Sequence, residues 1–292
     1  MKNISTIRLL FIGLILPLFA DFVAAAPEVK VIKLSVTNPS ESVRLSENIV
    51  LQVAALQTIA RDFEPASATV WTSKASTLAE DAKSHDKIEL PSQADDLDGD
   101  QKPDELVFQI DLQPKQTRIV SITFGDPTTL ARLRSNYPAR THAKFTTKFE
   151  GLGWESDMNA WRLYFDKRNA IDLFGKRQPG LSLETFGKPE HNYHEESAAG
   201  RDIYKIGNAL GIGAVGALVD GKVVKVAEVN GRSWKIISSG PVRTIVELDY
   251  KGWQVVGRSV DLKSRMTVWA GERGFDHQII AGNAEGLTFV TG

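Results

Sequence analysis

Two dipeptides constrain the C-terminal half of this chain more than anything else in it: Asp220-Gly221 and Asn230-Gly231. Each offers two residues that accept the positive φ of a type I′ turn, the connection that joins antiparallel strands with the right twist. Around them, runs rich in Val, Ile and Thr occupy 212–219, 222–226, 233–238, 242–250, 258–270 and 275–283. That spacing predicts successive antiparallel strands of a large sheet. Long helical periodicity is absent, and one short helix is expected over 198–210.

The residues from 26 to about 125 read the same way on a smaller scale, with short strands at 29–36, 49–53, 68–72, 106–112 and 117–124. Many short strands separated by Pro, Ser, Asn and Asp imply a small β-sandwich. The pattern weakens over 126–148, where 128–135 is compatible with a helical turn and Tyr137-Pro138 reads as linker. The expected organisation is therefore mostly β, with an N-terminal β-sandwich at 26–138 and a second domain at 139–292. The apolar run 287–290 stops two residues before the end of the sequence, which implies that the second domain is truncated at its C-terminus.

Residues 1–25 read as a signal peptide. Lys2 and Arg8 form a basic start, the apolar stretch 9–19 follows, and small residues at 24–26 offer a cleavage site after Ala25. The apolar stretch is too short to span a bilayer about 30 Å thick, and no later segment comes near the roughly 20 apolar residues required. The expected location is the periplasm or the medium of a bacterium, with no membrane span after cleavage. Composition removes other classes. The chain has no cysteine, which excludes disulfides, thiolate metal sites and cysteine nucleophiles. Its 35 basic and 36 acidic residues contain no long basic block, so no nucleic-acid partner is expected.

Three constellations can carry chemistry. Asp96, Asp98, Asp100 and Asp104 follow the alternating order of a calcium loop, although Gln101 stands where a glycine is expected and Val107 where a glutamate closes an EF-hand. A structural Ca²⁺ on those four carboxylates is the expectation. Next, if 160–168 is a strand, its period of two puts Trp161, Leu163 and Phe165 on a core face and Arg162, Tyr164, Asp166 and Arg168 on the other. Guanidinium forks, an aromatic ring and a carboxylate suit a sugar bearing a carboxylate, and Trp154 joins this substrate-binding set. Finally, His191 to Ser197 gathers proton-transfer groups in a loop, with Tyr193, His194 and Glu195 as the catalytic candidates.

The stretches Trp154–Asp157, Ala160–Asp172, Asn192–Ser197 and Gly240–Arg243 resemble the DUF4861 family, and the similarity runs from about residue 30 to the end. The acidic loop fits that family as well. The resemblance implies an exported bacterial protein associated with degradation of pectin- or uronate-containing glycans. It also implies a galactose-mutarotase-like β-sandwich in the second domain, one that usually continues past the point where this sequence stops. Together, residues and resemblance point to β-elimination on a uronic-acid-containing oligosaccharide by a lyase or dehydratase. Arg162 or Arg168 would neutralise the uronate carboxylate, and His194 and Tyr193 would move protons. A glycoside hydrolase using Glu195 and Asp166, or a glycan-binding module without chemistry, are the alternatives.

Overall fold

The computed structural model describes residues 6–10, 29–73, 87–126 and 137–292. Apart from the backbone of 6–10, the expected signal peptide lies outside those residues, as does the expected helical turn at 128–135. The protein is built mostly from antiparallel strands and divides into two compact units, Met1–Pro138 and Ala139–Gly292. Among the described residues, no helix is long and apolar enough to cross a membrane.

Unit 1 contains β1 (Thr6–Leu10), β2 (Lys30–Thr37), β3 (Arg44–Gln52), β4 (Thr69–Ser73), β5 (Lys87–Leu90), β6 (Ser92–Asp95), β7 (Glu105–Leu112) and β8 (Thr117–Phe124). They form a five-stranded sheet in the order β1-β2-β8-β4-β5 and a three-stranded sheet in the order β3-β7-β6. Alternate residues of both sheets, Leu34 and Ile122 from one and Ile49 and Phe108 from the other, meet in a single buried cluster. A short helix α1 (Val53–Ile59) follows β3 directly and buries Val53 and Leu56 in the same cluster.

Unit 2 carries β9 (Thr141–Thr146), β10 (Gly151–Ser156), β11 (Ala160–Tyr164), β12 (Ile171–Gly175), the one-turn helix α2 (Leu183–Phe186) and β13 (Arg201–Asp202). These strands pair in the order β13-β12-β11-β10-β9. Then come β14 (Val215–Val219), β15 (Lys222–Lys225), β16 (Gly231–Ser238), β17 (Arg243–Val255), β18 (Arg258–Trp269), β19 (Asp276–Gly282) and β20 (Thr288–Thr291). Their sheets are β15-β14-β20 and β16-β17-β18-β19.

The two turn dipeptides behave differently. Asp220-Gly221 closes the β14–β15 hairpin with φ of 49° and 73°, the values a type I′ turn demands. Asn230-Gly231 closes no hairpin, because β16 pairs with β17 rather than with β15. The expected helix over 198–210 is also not formed. Gly200 (φ 110°) carries the chain so close to β12 that a Cβ there would lie 1.8 Å from the Gly175 carbonyl oxygen. This close approach lets Arg201 and Asp202 pair as β13 with Gly175 and Phe174.

The β9–β13 sheet is buried on both sides, and this decides the chemistry of the site. Trp154, Trp161 and Leu163 face a core shared with Val246, Leu248 and Leu262. The opposite face is roofed by a second cluster in which Leu183, Phe186 and Tyr193 cover Phe149, Ala160 and Phe174. Gly153 makes the close packing possible, since a Cβ there would approach Leu183 and Phe149 to 3.0 and 3.1 Å.

Candidate active site

Strand register assembles the centre of the site. On β11 and β12, Arg162 lies directly opposite Asp172; on β12 and β13, Phe174 lies opposite Asp202. Because side chains alternate, Asp172 and Phe174 share a face, so Asp202 arrives beside the Arg162–Asp172 pair. The Arg162 Nη2 donates to Asp172 Oδ2 (2.9 Å), to Asp202 Oδ2 (2.8 Å) and to the Tyr164 hydroxyl. Its Nη1 donates to the Tyr193 hydroxyl at 3.0 Å. Arg162 is 1% exposed. Burial works against its charge, but Asp172, Tyr164, Asp202 and Tyr193 outweigh it and hold the guanidinium above its ordinary value.

Asp202 connects this interior to the surface. Its Oδ2 also lies 3.3 Å from Nδ1 of His194, whose side chain is 63% exposed, while its Oδ1 accepts a hydrogen bond from the Tyr204 amide. Burial and the neighbouring Asp172 raise the Asp202 carboxyl above the usual carboxylate value, with Arg162 pulling the other way. Burial first, and then Asp172 and Asp202, push the Tyr164 phenol well above its ordinary value against the pull of Arg162, which leaves it a neutral hydroxyl. A cleft of about 710 Å³ opens over this group, lined by Tyr164, Arg168, Ala170, His194 and the continuous segment 201–207.

Several residues expected at the site are placed elsewhere or otherwise engaged. Arg162 does not stand on an open polar face: the alternation along 160–164 holds, but the roof from residues 183–193 seals that face. The strand ends at Tyr164, so Asp166 and Arg168 belong to the following turn. There Arg168 grips Asp166 through Nε and Nη2 and reaches Glu150 Oε1 at 2.9 Å. Arg168 holds Asp166 below the usual carboxylate value, and Asp166 and Glu150 in turn hold Arg168 above its own. Tyr193 is buried, with its hydroxyl donating to the Lys148 carbonyl and accepting from Arg162, so it supports the wall and moves no proton. Glu195 accepts a hydrogen bond from Asn192 Nδ2 and is not among the residues lining the cleft. Trp154 is fully buried against Phe275 and offers no ring to a ligand. The neighbouring Glu155 is likewise structural: it pairs with Lys176 and accepts from the amides of Ser182 and Leu183.

The acidic turn of unit 1 brings together three of its four expected ligands. Carboxylate oxygens of Asp96, Asp98 and Asp104 lie within 4.8 Å of one another, and Asp100 is not part of that group. Gln101 takes the positive φ (70°) that a glycine was expected to supply. The carboxylates close the turn on itself: Asp96 accepts from the Gly99 and Gln101 amides, Asp98 from the Asp100 amide, and Asp104 from the Leu97 amide. Exposed acidic turns of this kind are common without a cation, so the calcium expectation rests on the sequence pattern alone.

Arg201, Asp202, Tyr204 and Lys205 line the cleft and Asp172 pairs with Arg162, and none of them was among the expected site residues. The signal for the first four was present as the run Arg201-Asp202-Ile203-Tyr204-Lys205, dense in charge and directly downstream of the histidine loop. Reading 198–210 as a helix dispersed those side chains around an axis; the extended chain brings all four to the cleft.

A family model described as "Domain of unknown function (DUF4861)" matches residues 36–292, and the chain belongs to that family. No curated protein and no solved structure matches it.

Proposed function

We propose that this DUF4861 protein acts on uronic-acid-containing oligosaccharides by β-elimination, with the cleft of unit 2 as its active site. The single observation that carries the reading is the His194–Asp202 pair, an exposed imidazole 3.3 Å from a buried carboxylate, at the mouth of a cleft with cationic and phenolic lining. Elimination from a uronate needs a base for the C5 proton, an acid for the oxygen leaving C4, and positive charge beside the carboxylate. Asp202 beside Nδ1 favours the tautomer that carries its proton there, which leaves the Nε2 lone pair as the base. The C5–H bond breaks toward Nε2, its electrons form the C4=C5 double bond, and the C4–O bond opens. Tyr204, 52% exposed and lining the same cleft, supplies the proton to the departing oxygen. Export to the periplasm or the medium belongs to the same proposal and is supported by the sequence of residues 1–25.

Hydrolysis by two carboxylates is the weaker reading, because Asp166 is held by Arg168 and Glu195 is not among the residues lining the cleft. The test is turnover of a panel of uronate oligosaccharides, read by mass and by ultraviolet absorbance of the new double bond. Cleavage without uptake of water, or loss of water, is expected, and His194→Ala should reduce the rate by about 10²- to 10⁴-fold. Products heavier by one water, binding without turnover, or unchanged turnover in His194→Ala would overturn it.

A further inference from the structure

The ionic groups around the cleft are unevenly compensated. One guanidinium meets two carboxylates twice over: Arg162 with Asp172 and Asp202, and Arg168 with Asp166 and Glu150. At Glu196 the ratio is inverted. Glu196 is shared by two cations, lying 2.6 Å from Arg177 and 3.5 Å from Arg201. Lys205 is exposed, lines the cleft, and has no ion-pair partner among the described residues. Of the arginines and lysines lining the cleft, Arg168 is held by two carboxylates and Arg201 shares one, which leaves Lys205 without an ion-pair partner among the described residues.

An anionic ligand entering this cleft is drawn to the cation that no carboxylate compensates, and a concave site concentrates that attraction. We propose that Lys205 takes the carboxylate of the bound sugar and sets the preference for acidic over neutral glycans. This rests on the proposed action on uronates. It replaces Arg162, whose terminal nitrogens are all engaged inside the protein, and Arg168, whose fork is filled by two carboxylates. The sugar then lies with its carboxylate toward Lys205 and its hydroxyl groups toward Tyr164 and Asp202, where acceptors are plentiful. Tyr204 stands next to the anion-binding lysine in the chain, so the group that protonates the leaving oxygen and the group that holds the carboxylate come from one segment.

Binding of a galacturonate trisaccharide and of its methyl ester, measured by calorimetry, tests this without requiring turnover. The wild-type protein should bind the acid about tenfold or more tightly than the ester, and Lys205→Gln should lower acid binding to the ester's level while leaving ester binding unchanged. Lys205→Arg should keep most of the preference, because it restores the charge. Since Lys205 is exposed, Lys205→Gln should fold and melt like the parent. A preference for the acid that survives in Lys205→Gln, or no preference in the wild type, would overturn the assignment. Acid-selective binding without any product would instead overturn the elimination chemistry and leave Lys205 in place.

Discussion

Arg162 and Arg168 sit on the same aromatic ring, with guanidinium carbons 4.3 and 4.0 Å from the centre of Tyr164, and each has two carboxylate partners. They differ in water. The Arg162 side chain is 1% exposed and its partners Asp172 and Asp202 are 1% and 5% exposed; Arg168 is 38% exposed, with partners at 43% and 48%. For the first group the protein replaces lost hydration with a closed set of donors and acceptors, and no member can leave without stranding the others. For the second, water stands in for any partner that departs. Equal stoichiometry thus produces a rigid floor beneath the cleft and an adjustable lip at its rim.

The largest expected effect follows from removing the buried cation. Arg162→Met should destabilise the protein by about 3–5 kcal/mol, since Asp172 and Asp202 would remain buried side by side without compensation. Arg162→Lys should recover part of that loss, because it returns the charge without the fork. Urea unfolding followed by tryptophan fluorescence measures both. A loss below about 1 kcal/mol in Arg162→Met would erase the distinction between the two arginines.

Strand alternation, read from sequence, separated Trp161 and Leu163 from Arg162 and Tyr164, and the structure keeps that separation. What alternation does not report is whether the second face of a sheet is covered. Here the cover comes from Leu183, Phe186 and Tyr193, apolar residues in a stretch with neither strand nor helix periodicity. A roof of that kind leaves no periodic trace, so Arg162 looked like a surface donor. The acidic turn shows the converse case, in which spacing along a loop predicted the convergence of Asp96, Asp98 and Asp104. Asp202 was left out of the expected site residues for a third reason. Its place is set by pairing with Phe174, a contact specified by Gly200 and by strand register rather than by local pattern.

The comparison extends to pH, because the carboxylates of the two groups are shifted in opposite directions. Asp202 is raised above 3.8, chiefly by burial, so the folded protein holds its proton more tightly than the unfolded chain does. The stability it contributes is present below that value and is lost as pH climbs through the raised one. Asp202→Asn has no such proton to lose. The stability difference between wild type and Asp202→Asn should therefore fall as pH rises from about 3.5 toward 6, by no more than about 1.4 kcal/mol per pH unit. A difference that grows over that range would mean that Arg162 outweighs burial at Asp202 and that the floor behaves like the rim.

The smallest effect is expected at the rim itself. Arg168→Ala removes two ion pairs, to Asp166 and to Glu150, yet all three side chains are more than a third exposed, so the loss should be about 1 kcal/mol or less near neutral pH. Its pH dependence has the opposite sign to that of Asp202. Asp166 is held below 3.8 by its hydrogen bonds to Arg168, so the contribution exists above that value and disappears as pH falls through the depressed one. The deficit of Arg168→Ala should accordingly shrink as pH falls below 3.8, and it should shrink in roughly 1 M salt, where screening acts over about 3 Å. Asp202→Asn should show a smaller salt response, because Asp202 and the guanidinium of Arg162 are 5% and 1% exposed. A deficit above about 2 kcal/mol that persists in acid and in salt would show that Arg168 is as deeply committed as Arg162. In that event the lip would be fixed, and the compensated charge at Arg168 would be part of the folded core of unit 2 rather than a surface that a ligand can rearrange.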